Sequence, residues 1–322
     1  MAQRKSIIVY LIGGLGNQLF CLAFAKSLAV LRKGPIIFDD KYVIFGSNIS
    51  RKSNIFDFKN TDSDLIYRFR SDKYLKFLKF KILRRIYWKF LGVSEKVQSE
   101  ENLKLSYTSF NSNTRFRDYF ANWYYAEFVG VEYFVNLVSK LSLSQKAQTN
   151  IELLQSQQPI VIHLRLSDYL RFPNIYRITP EKYFLDSIKF IDQFSQKKIW
   201  LFCEEKKDIQ TYYPKLYALA DKIITNESEL SDSESFYLLS KAKNLIITNS
   251  SFSQWAGWIA ANTGSKVISF CESQNPSSVA NYYKWYIYLN STSQIINPSS
   301  IPKEYIIQKE FIESLSIKIR NE

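Results

Sequence analysis

Three short segments gather polar side chains at the point where an apolar run gives way to a turn. In the first, Gly13, Gly14 and Gly16 crowd into four positions after Ile7-Ile8-Val9-Tyr10-Leu11-Ile12, and Asn17 follows them. A glycine turn of this kind lets backbone N–H groups approach a phosphate, or the Asn17 amide reach a ligand, at the positive end of a helix. A tight strand-to-helix turn with no ligand would use the same glycines. The second segment is His163-Leu164-Arg165-Leu166-Ser167-Asp168-Tyr169. Strand alternation sends His163 and Arg165 to one side and Leu164 and Leu166 to the other, so two donors that can carry positive charge share a face, as a diphosphate requires. A salt bridge from Arg165 to Asp168 is the competing account. The third is Thr248-Asn249-Ser250-Ser251-Phe252-Ser253-Gln254-Trp255, where hydroxyl and amide residues open an apolar helix. Ser250 or Ser251 can cap that helix, either for its own sake or with the remaining N–H groups turned to an anion.

The elements that must position these segments follow from periodicity. Ile7 to Ile12 reads as a buried strand, Asn17 to Leu31 as a helix, and Pro35-Ile36-Ile37-Phe38-Asp39-Asp40 as a second strand, which together open a parallel sheet. Residues 61–92 and 116–140 are predicted helical. From Leu141 to Gln158 the composition turns to Ser and Gln with little charge, and the domain boundary is placed there, giving domains 1–150 and 151–322. Strands then recur at 160–165, 198–203, 244–248 and 266–270, with a helix from Pro180 to Gln193. Alternation of this kind predicts a second α/β domain. Residues 303–320 read as an amphipathic terminal helix packed back across a domain.

Composition limits the chemistry. The chain of 322 residues has one histidine and three widely spaced cysteines, Cys21, Cys203 and Cys271, too few for a His-rich zinc site or a cysteine cluster. Unpaired cysteines fit a reducing compartment. The apolar run after the basic start is too short for a signal-peptide core or a membrane span, so a cytoplasmic location is expected. The net charge is +13, and nine Lys and Arg against one acidic residue between Tyr67 and Phe90 account for much of it. That stretch would hold the protein near anionic phospholipid. A non-enzymatic nucleic-acid or membrane binder is the rival that the same charge allows.

Taken in order, the segments resemble the bacterial α-1,2-fucosyltransferases of glycosyltransferase family 11. The stretch Gly13 to Phe20 is similar to that family's amino-terminal signature, His163 to Tyr169 to its H-x-R-x-G-D-Y motif, and Thr248 to Trp258 to its S-N-S-T-F-S-W-W segment. Arg117-Asp118-Tyr119-Phe120 and Phe236-Tyr237-Leu238-Leu239-Ser240 fit as well. Ser167 stands where the family usually has Gly, and Cys203-Glu204-Glu205 where many members have Ser-Asp-Asp.

The resemblance implies an α/β fold of the GT-B type with two facing Rossmann-like domains, the first on the acceptor side and the second on the donor side. It implies inverting transfer of L-fucose from GDP-β-L-fucose to the 2-hydroxyl of a sugar, galactose being the expected acceptor, in an oligosaccharide or polysaccharide precursor. The donor is a substrate, and no cofactor or metal is expected. A lipid-linked glycan acceptor and peripheral membrane contact are expected partners, and nucleic acid is not. Arg165 and residues 249–251 would stabilise the departing GDP. Asp168 is the candidate base for the acceptor proton, with Asp118, Glu127 and the Asp39-Asp40 pair as alternatives. Asn17 would orient the acceptor or the diphosphate, with Gly14 and Gly16 beside it. His163 and Glu204 fall near the nucleoside on the resemblance, Glu204 because a carboxylate can accept from guanine N1 and N2, and Phe252 is expected among the donor-binding residues. The alternative enzyme is a metal-dependent GT-A-like transferase using Asp62-Ser63-Asp64, whose D-x-D spacing can hold Mn²⁺.

Overall fold

The computed structural model describes residues 7–32, 36–40, 42–43, 52–58, 64–69, 115–172, 178–192, 196–225, 230–270, 287–289 and 295–296. They fall into two compact units. One holds the described residues up to Phe56 and from 64 to Gly130; the other holds Asp57, Phe58 and the described residues from Val131 onward.

In the first unit, β1 (Ile8–Tyr10), β2 (Ile36–Asp39), β3 (Leu65–Phe69) and β4 (Arg115–Phe116) form a parallel sheet in the order β3-β2-β1-β4. Helix α1 (Leu15–Arg32) joins β1 to β2 as a crossover must. Leu19, Phe20, Cys21, Leu22, Ala23, Phe24 and Ala25 are all buried, so α1 is apolar on nearly every side and acts as the unit's core. Phe24 stacks on Phe120 at 3.9 Å between ring centroids, and Phe20 meets Trp123 edge-on at 4.9 Å. Trp123 opens α2 (Trp123–Val129), whose N-cap Asn122 accepts a bond from the Tyr124 N–H.

The strand β3 corrects part of the helix predicted over 61–92. Leu65-Ile66-Tyr67-Arg68-Phe69 is β-branched and aromatic, and pairing with β2 outweighs the helical spacing of its apolar residues. Residues 70–92, with most of the basic stretch, lie outside the described residues, as does the expected terminal helix at 303–320. The segment 116–140 also divides differently from the expectation: a strand end and a loop precede α2, and α3 (Val131–Ser139) follows.

The second unit begins with α3, so the division falls at Gly130–Val131 rather than at 150/151. The Ser- and Gln-rich stretch in which the boundary is expected contains a capped helix, α4 (Gln145–Gln157). Ser144 accepts from the Ala147 N–H, and Ala147, Asn150, Ile151 and Leu154 make its buried stripe. Low charge there reflects a helix with one face covered, not a spacer.

The remaining helices are α5 (Ser167–Arg171), α6 (Glu181–Ile191), α7 (Lys206–Tyr212), α8 (Pro214–Leu219), α9 (Asp232–Lys241) and α10 (Ser251–Asn262). The strands are β5 (Ile160–His163), β6 (Ile199–Phe202), β7 (Lys222–Ile224), β8 (Asn244–Ile247), β9 (Lys266–Phe270), β10 (Ile287–Leu289) and β11 (Ile295–Ile296). Their order is β11-β10-β9-β8-β5-β6-β7, parallel except between β10 and β11. Ile160, Ile162, Leu164 and Leu166 pack with Tyr183, Phe184 and Ile188 of α6 and with Ile209, Tyr213 and Leu216. Elsewhere in the unit Trp255 and Trp258 of α10 close on Phe134 of α3, at 4.8 and 5.5 Å between centroids. Truncating either indole to alanine would cost about 3–5 kcal/mol.

Candidate active site

Parallel strands place ligands beyond their carboxyl ends, and in the second unit β5, β6 and β8 lie side by side there. The pair His163 and Phe202 closes the β5/β6 ladder, and the Leu164 N–H extends it to the Phe202 carbonyl at 2.8 Å. Arg165 and Glu204, each two residues past its strand end, therefore emerge as neighbours. Arg165 Nη1 donates to Glu204 Oε1 at 2.6 Å, and the Leu166 N–H donates to Glu204 Oε2 at 3.3 Å. One partner of Arg165 is thus Glu204, across the ladder. Asp168 lies in the first turn of α5, and its side chain is outside the described residues.

Leu164 and Leu166 are buried in the core, as alternation requires. His163 takes the other side, where its ring lies 5.4 Å from that of Phe252 in the first turn of α10. Its Nδ1 is buried without a hydrogen-bond partner. Burial, and then the nearby Arg165 charge, push its pKa down to about 3, so the imidazole is neutral at physiological pH. Of the two donors expected on this face, Arg165 carries the charge and His163 offers a neutral donor or acceptor.

Gln254 ties helix α10 to the end of β8 and to β9. Gln254 Nε2 donates to the Thr248 carbonyl and to Ser269 Oγ, each at 3.0 Å. The Tyr183 hydroxyl donates to the Ile247 and Ile268 carbonyls at 2.8 and 3.2 Å. Ser250 occupies the N-cap position with extended backbone, yet its side chain makes no capping bond. Capping therefore does not account for the hydroxyl cluster. Thr248 Oγ1 is likewise buried and unpartnered, while Asn249, Ser251 and Phe252 are half-buried around the same helix start. An uncapped helix start, an unpartnered imidazole nitrogen and one guanidinium can receive an anion.

The first unit has its own strand-end edge. Gly13 takes φ +72°, and a Cβ there would stand 2.5 Å from Asn17 Nδ2, so the Asn17 side chain folds over a position that only glycine can occupy. Gly14 accepts the Gln18 N–H at 2.9 Å, and Gly16 is buried within α1. Fully buried Gln18, to which no role was assigned from sequence, donates to the carbonyls of Gly13 and Lys52 and accepts from the Ile55 N–H. Its place inside the glycine motif was the available signal. Arg117 lies over the Tyr42 ring at 4.9 Å. Asp118 Oδ1 accepts from the Tyr119 N–H, and Asp40 Oδ2 accepts from Ser53 Oγ, both at 2.7 Å. Asp39 is buried at the end of β2, and Glu127 lies within α2. Phe120, at φ +47°, is a bulky residue in the left-handed region, held there by its stack on Phe24.

The alternative metal motif has a different setting. Asp64 precedes β3 at the opposite, amino-terminal edge of the sheet, and its carboxylate pairs with Lys26 Nζ at 2.6 Å. Asp62 and Ser63 lie outside the described residues. Among the described residues no group of three His, Cys, Asp or Glu side chains converges on a metal position, and no helix is long and apolar enough to cross a membrane.

Comparison with known proteins agrees with this architecture. The chain is 24% identical over 264 residues to an alpha-1,2-colitosyltransferase of Escherichia coli, covering 79% of this chain and 87% of that protein. It is 23% identical over 280 residues to the O-antigen biosynthesis glycosyltransferase WbnK of Escherichia coli, covering 77% and 88%. Among solved structures it is similar to the NodZ alpha-1,6-fucosyltransferase of Bradyrhizobium, with a TM-score of 0.52 at 15% identity over 85% of this chain and 97% of that one. The fold is of the GT-B type. The model of glycosyl transferase family 11 matches residues 6–290, which include both glycine turn and strand-end cluster, and the chain belongs to that family.

Proposed function

We propose that this glycosyltransferase moves an L-fucosyl group from GDP-β-L-fucose to the 2-hydroxyl of an acceptor sugar, galactose first among the acceptors, with inversion and without a metal. The observation that supports it most is the meeting of Arg165, the neutral His163 and the uncapped start of α10 at one sheet edge. A departing diphosphate needs positive potential that is already in place, and those groups supply it through Arg165 and the first-turn N–H groups near Asn249, Ser250, Ser251 and Phe252. The acceptor oxygen attacks the anomeric carbon, the bond from that carbon to the phosphate oxygen breaks, and GDP leaves with the electron pair. Asp168 is the proposed base that takes the hydroxyl proton. Asn17, fixed over Gly13, is proposed to orient the acceptor.

The GDP donor is supported by NodZ, which was co-crystallized with GDP. The O-antigen relative supports a glycan acceptor, with a lipid-linked precursor as the proposed form and the basic stretch 67–90 as its contact with the membrane surface. The colitosyltransferase likeness favours a second donor, a colitosyl nucleotide, as the alternative.

Incubating the protein with GDP-β-L-fucose or a GDP-colitosyl donor and galactosides, with EDTA present, tests the reading by NMR of the product. A new α-1,2 linkage in EDTA supports it. Transfer only on addition of Mn²⁺, or from a UDP-sugar alone, contradicts it.

A further inference from the structure

On the resemblance, Glu204 reads the guanine; its surroundings point elsewhere. A carboxylate that accepts from guanine N1 and N2 needs both oxygens turned toward the base. Here Oε1 is engaged by Arg165 Nη1 at 2.6 Å and Oε2 by the Leu166 N–H at 3.3 Å. The ion pair is largely enclosed, with the Glu204 side chain 13% exposed and that of Arg165 25% exposed. Each oxygen keeps a second lone pair, but turning both toward a base would pull the carboxylate off a short charge-assisted bond between partly desolvated groups, which is unfavourable unless that bond is replaced.

The backbone explains why the pair forms. Register sets His163 opposite Phe202, so the two residues that follow each strand also run in parallel, and the guanidinium and carboxylate project from adjacent positions. Burial of Leu164 and Leu166 on the core side fixes the Arg165 backbone from below. The second Glu204 oxygen then ties the same loop through the Leu166 N–H. One carboxylate thus holds both the side-chain head and the backbone of the residues on either side of the Arg165–Leu166 peptide bond.

We propose that Glu204 is a positioning residue: it orients the Arg165 guanidinium toward the leaving diphosphate and does not read the base. This rests on the reading of Arg165 as the diphosphate ligand given above. A planar guanidinium on a flexible stem gains its catalytic value from being aimed before the substrate arrives, and a misplacement of about 1 Å can cost roughly 10²-fold in rate. Glu204 supplies the aim through a charge-assisted bond at one Nη1.

The test compares wild type, Glu204→Gln, Glu204→Asp, Arg165→Lys and the double variant Glu204→Gln/Arg165→Lys. Calorimetry measures binding of GDP, GMP and IDP, and kinetics separate kcat from KM. Glutamine keeps the shape and one acceptor but loses the charge. Aspartate keeps the charge but is one methylene too short.

Glu204→Gln is expected to lower kcat by about 10- to 100-fold, in line with a mis-aimed charge. The gain in affinity from GMP to GDP shrinks, and the preference for GDP over IDP, which lacks the guanine 2-amino group, stays as in wild type. Glu204→Asp recovers part of the rate. In the Arg165→Lys background the Glu204→Gln change costs less than about threefold, because the two residues act as one unit.

Loss of the GDP-over-IDP preference with kcat retained would make Glu204 a base reader. Additive losses in the double variant would separate it from Arg165, and losses that track a fall in Tm would make it a structural residue only; either overturns the proposal. Should the wild type prefer another nucleoside diphosphate to GDP, the donor reading fails, but the comparison of that diphosphate with its monophosphate still decides the role of Glu204. Binding of no nucleoside diphosphate at all overturns both.

Discussion

Arg165→Ala removes the guanidinium at the strand-end cluster of the second unit, and transfer should fall by at least about 10²-fold. The same change strands the Glu204 carboxylate in a largely enclosed place, so stability should also drop by roughly 1–3 kcal/mol. Arg165→Lys is therefore the cleaner variant, and a thermal melt beside the rate assay separates the two effects. Asp168→Asn keeps size and hydrogen bonding but not basicity: the rate should collapse while GDP affinity stays near wild type, and weakened affinity with unchanged maximal rate would make Asp168 structural. His163 gives an independent check because it is the only histidine in the chain. Its imidazole resonance should hold constant from pH 8 to 5, since the folded pKa is about 3; a midpoint near 6.5 would place it in water. The unfolded chain binds that proton first, so the contribution of His163 is fully present above about 6.5 and is lost as pH falls toward 3, at up to about 1.4 kcal/mol per pH unit. Arg165, His163 and Ser250 were legible in the sequence because each sits at a fixed distance from an apolar strand. The Arg165–Glu204 pair was not, because nothing in a linear sequence says that the strand ending at Phe202 lies beside the one ending at His163.

At the level of elements, the sequence was most readable where burial is two-sided. β9 matches its predicted range, and α1, β5, β6 and β8 fall within two residues of theirs, because runs such as Ile160-Val161-Ile162 have no other place than the middle of a parallel sheet. Two elements went unread for opposite reasons. Leu65–Phe69 has apolar spacing that suits either a helix or a strand, and only its pairing with β2 decides. The helix α4 is polar except for one narrow stripe, and its start depends on a partner far away in sequence: Glu234 Oε1 accepts the Ser144 N–H at 2.7 Å. Glu234 also accepts from the Ser231 N–H and hydroxyl at 2.8 and 3.0 Å, closing a capping box on α9. Burial alone would push its carboxyl up, but the bonds from Ser231 and Ser144 prevail and hold it below the usual value of 4.5. A carboxylate with a depressed pKa stabilises the fold above the unfolded value, and that stability is lost as pH drops below about 4.5 through the folded value. Glu234→Gln should lower the urea midpoint at pH 7 by an amount equivalent to about 1–2 kcal/mol, and the difference from wild type should shrink at pH 3. An unchanged midpoint at pH 7 would mean that the box and the α4 tie add nothing.

The molecule as a whole consists of two α/β units, each built on a sheet whose strands run parallel, except β10 with β11 in the second. The two-domain α/β class was legible from the restart of the strand pattern at Ile160; the division itself was not, because the apolar residues of α3, such as Phe134 and Leu137, do not say in a linear sequence which unit they pack into. Charge is a property of this scale too. The net +13, concentrated between Tyr67 and Phe90, should give binding to anionic vesicles that is lost at high salt, and replacing Lys76, Lys79, Arg84 and Arg85 with Gln should release the protein without altering transfer to a small soluble acceptor. Cosedimentation that ignores both changes would mean that the stretch does not meet the membrane. The central claim is that the cluster of Arg165, His163 and the start of α10 receives the diphosphate of a GDP-sugar, and titration calorimetry with GDP, UDP, ADP and CMP on wild type and Arg165→Lys tests it most directly. The account predicts clear binding of GDP, little of the other three, and at least about a tenfold loss of GDP affinity in the variant. Equal binding of all four nucleotides, or GDP affinity indifferent to Arg165, would contradict it.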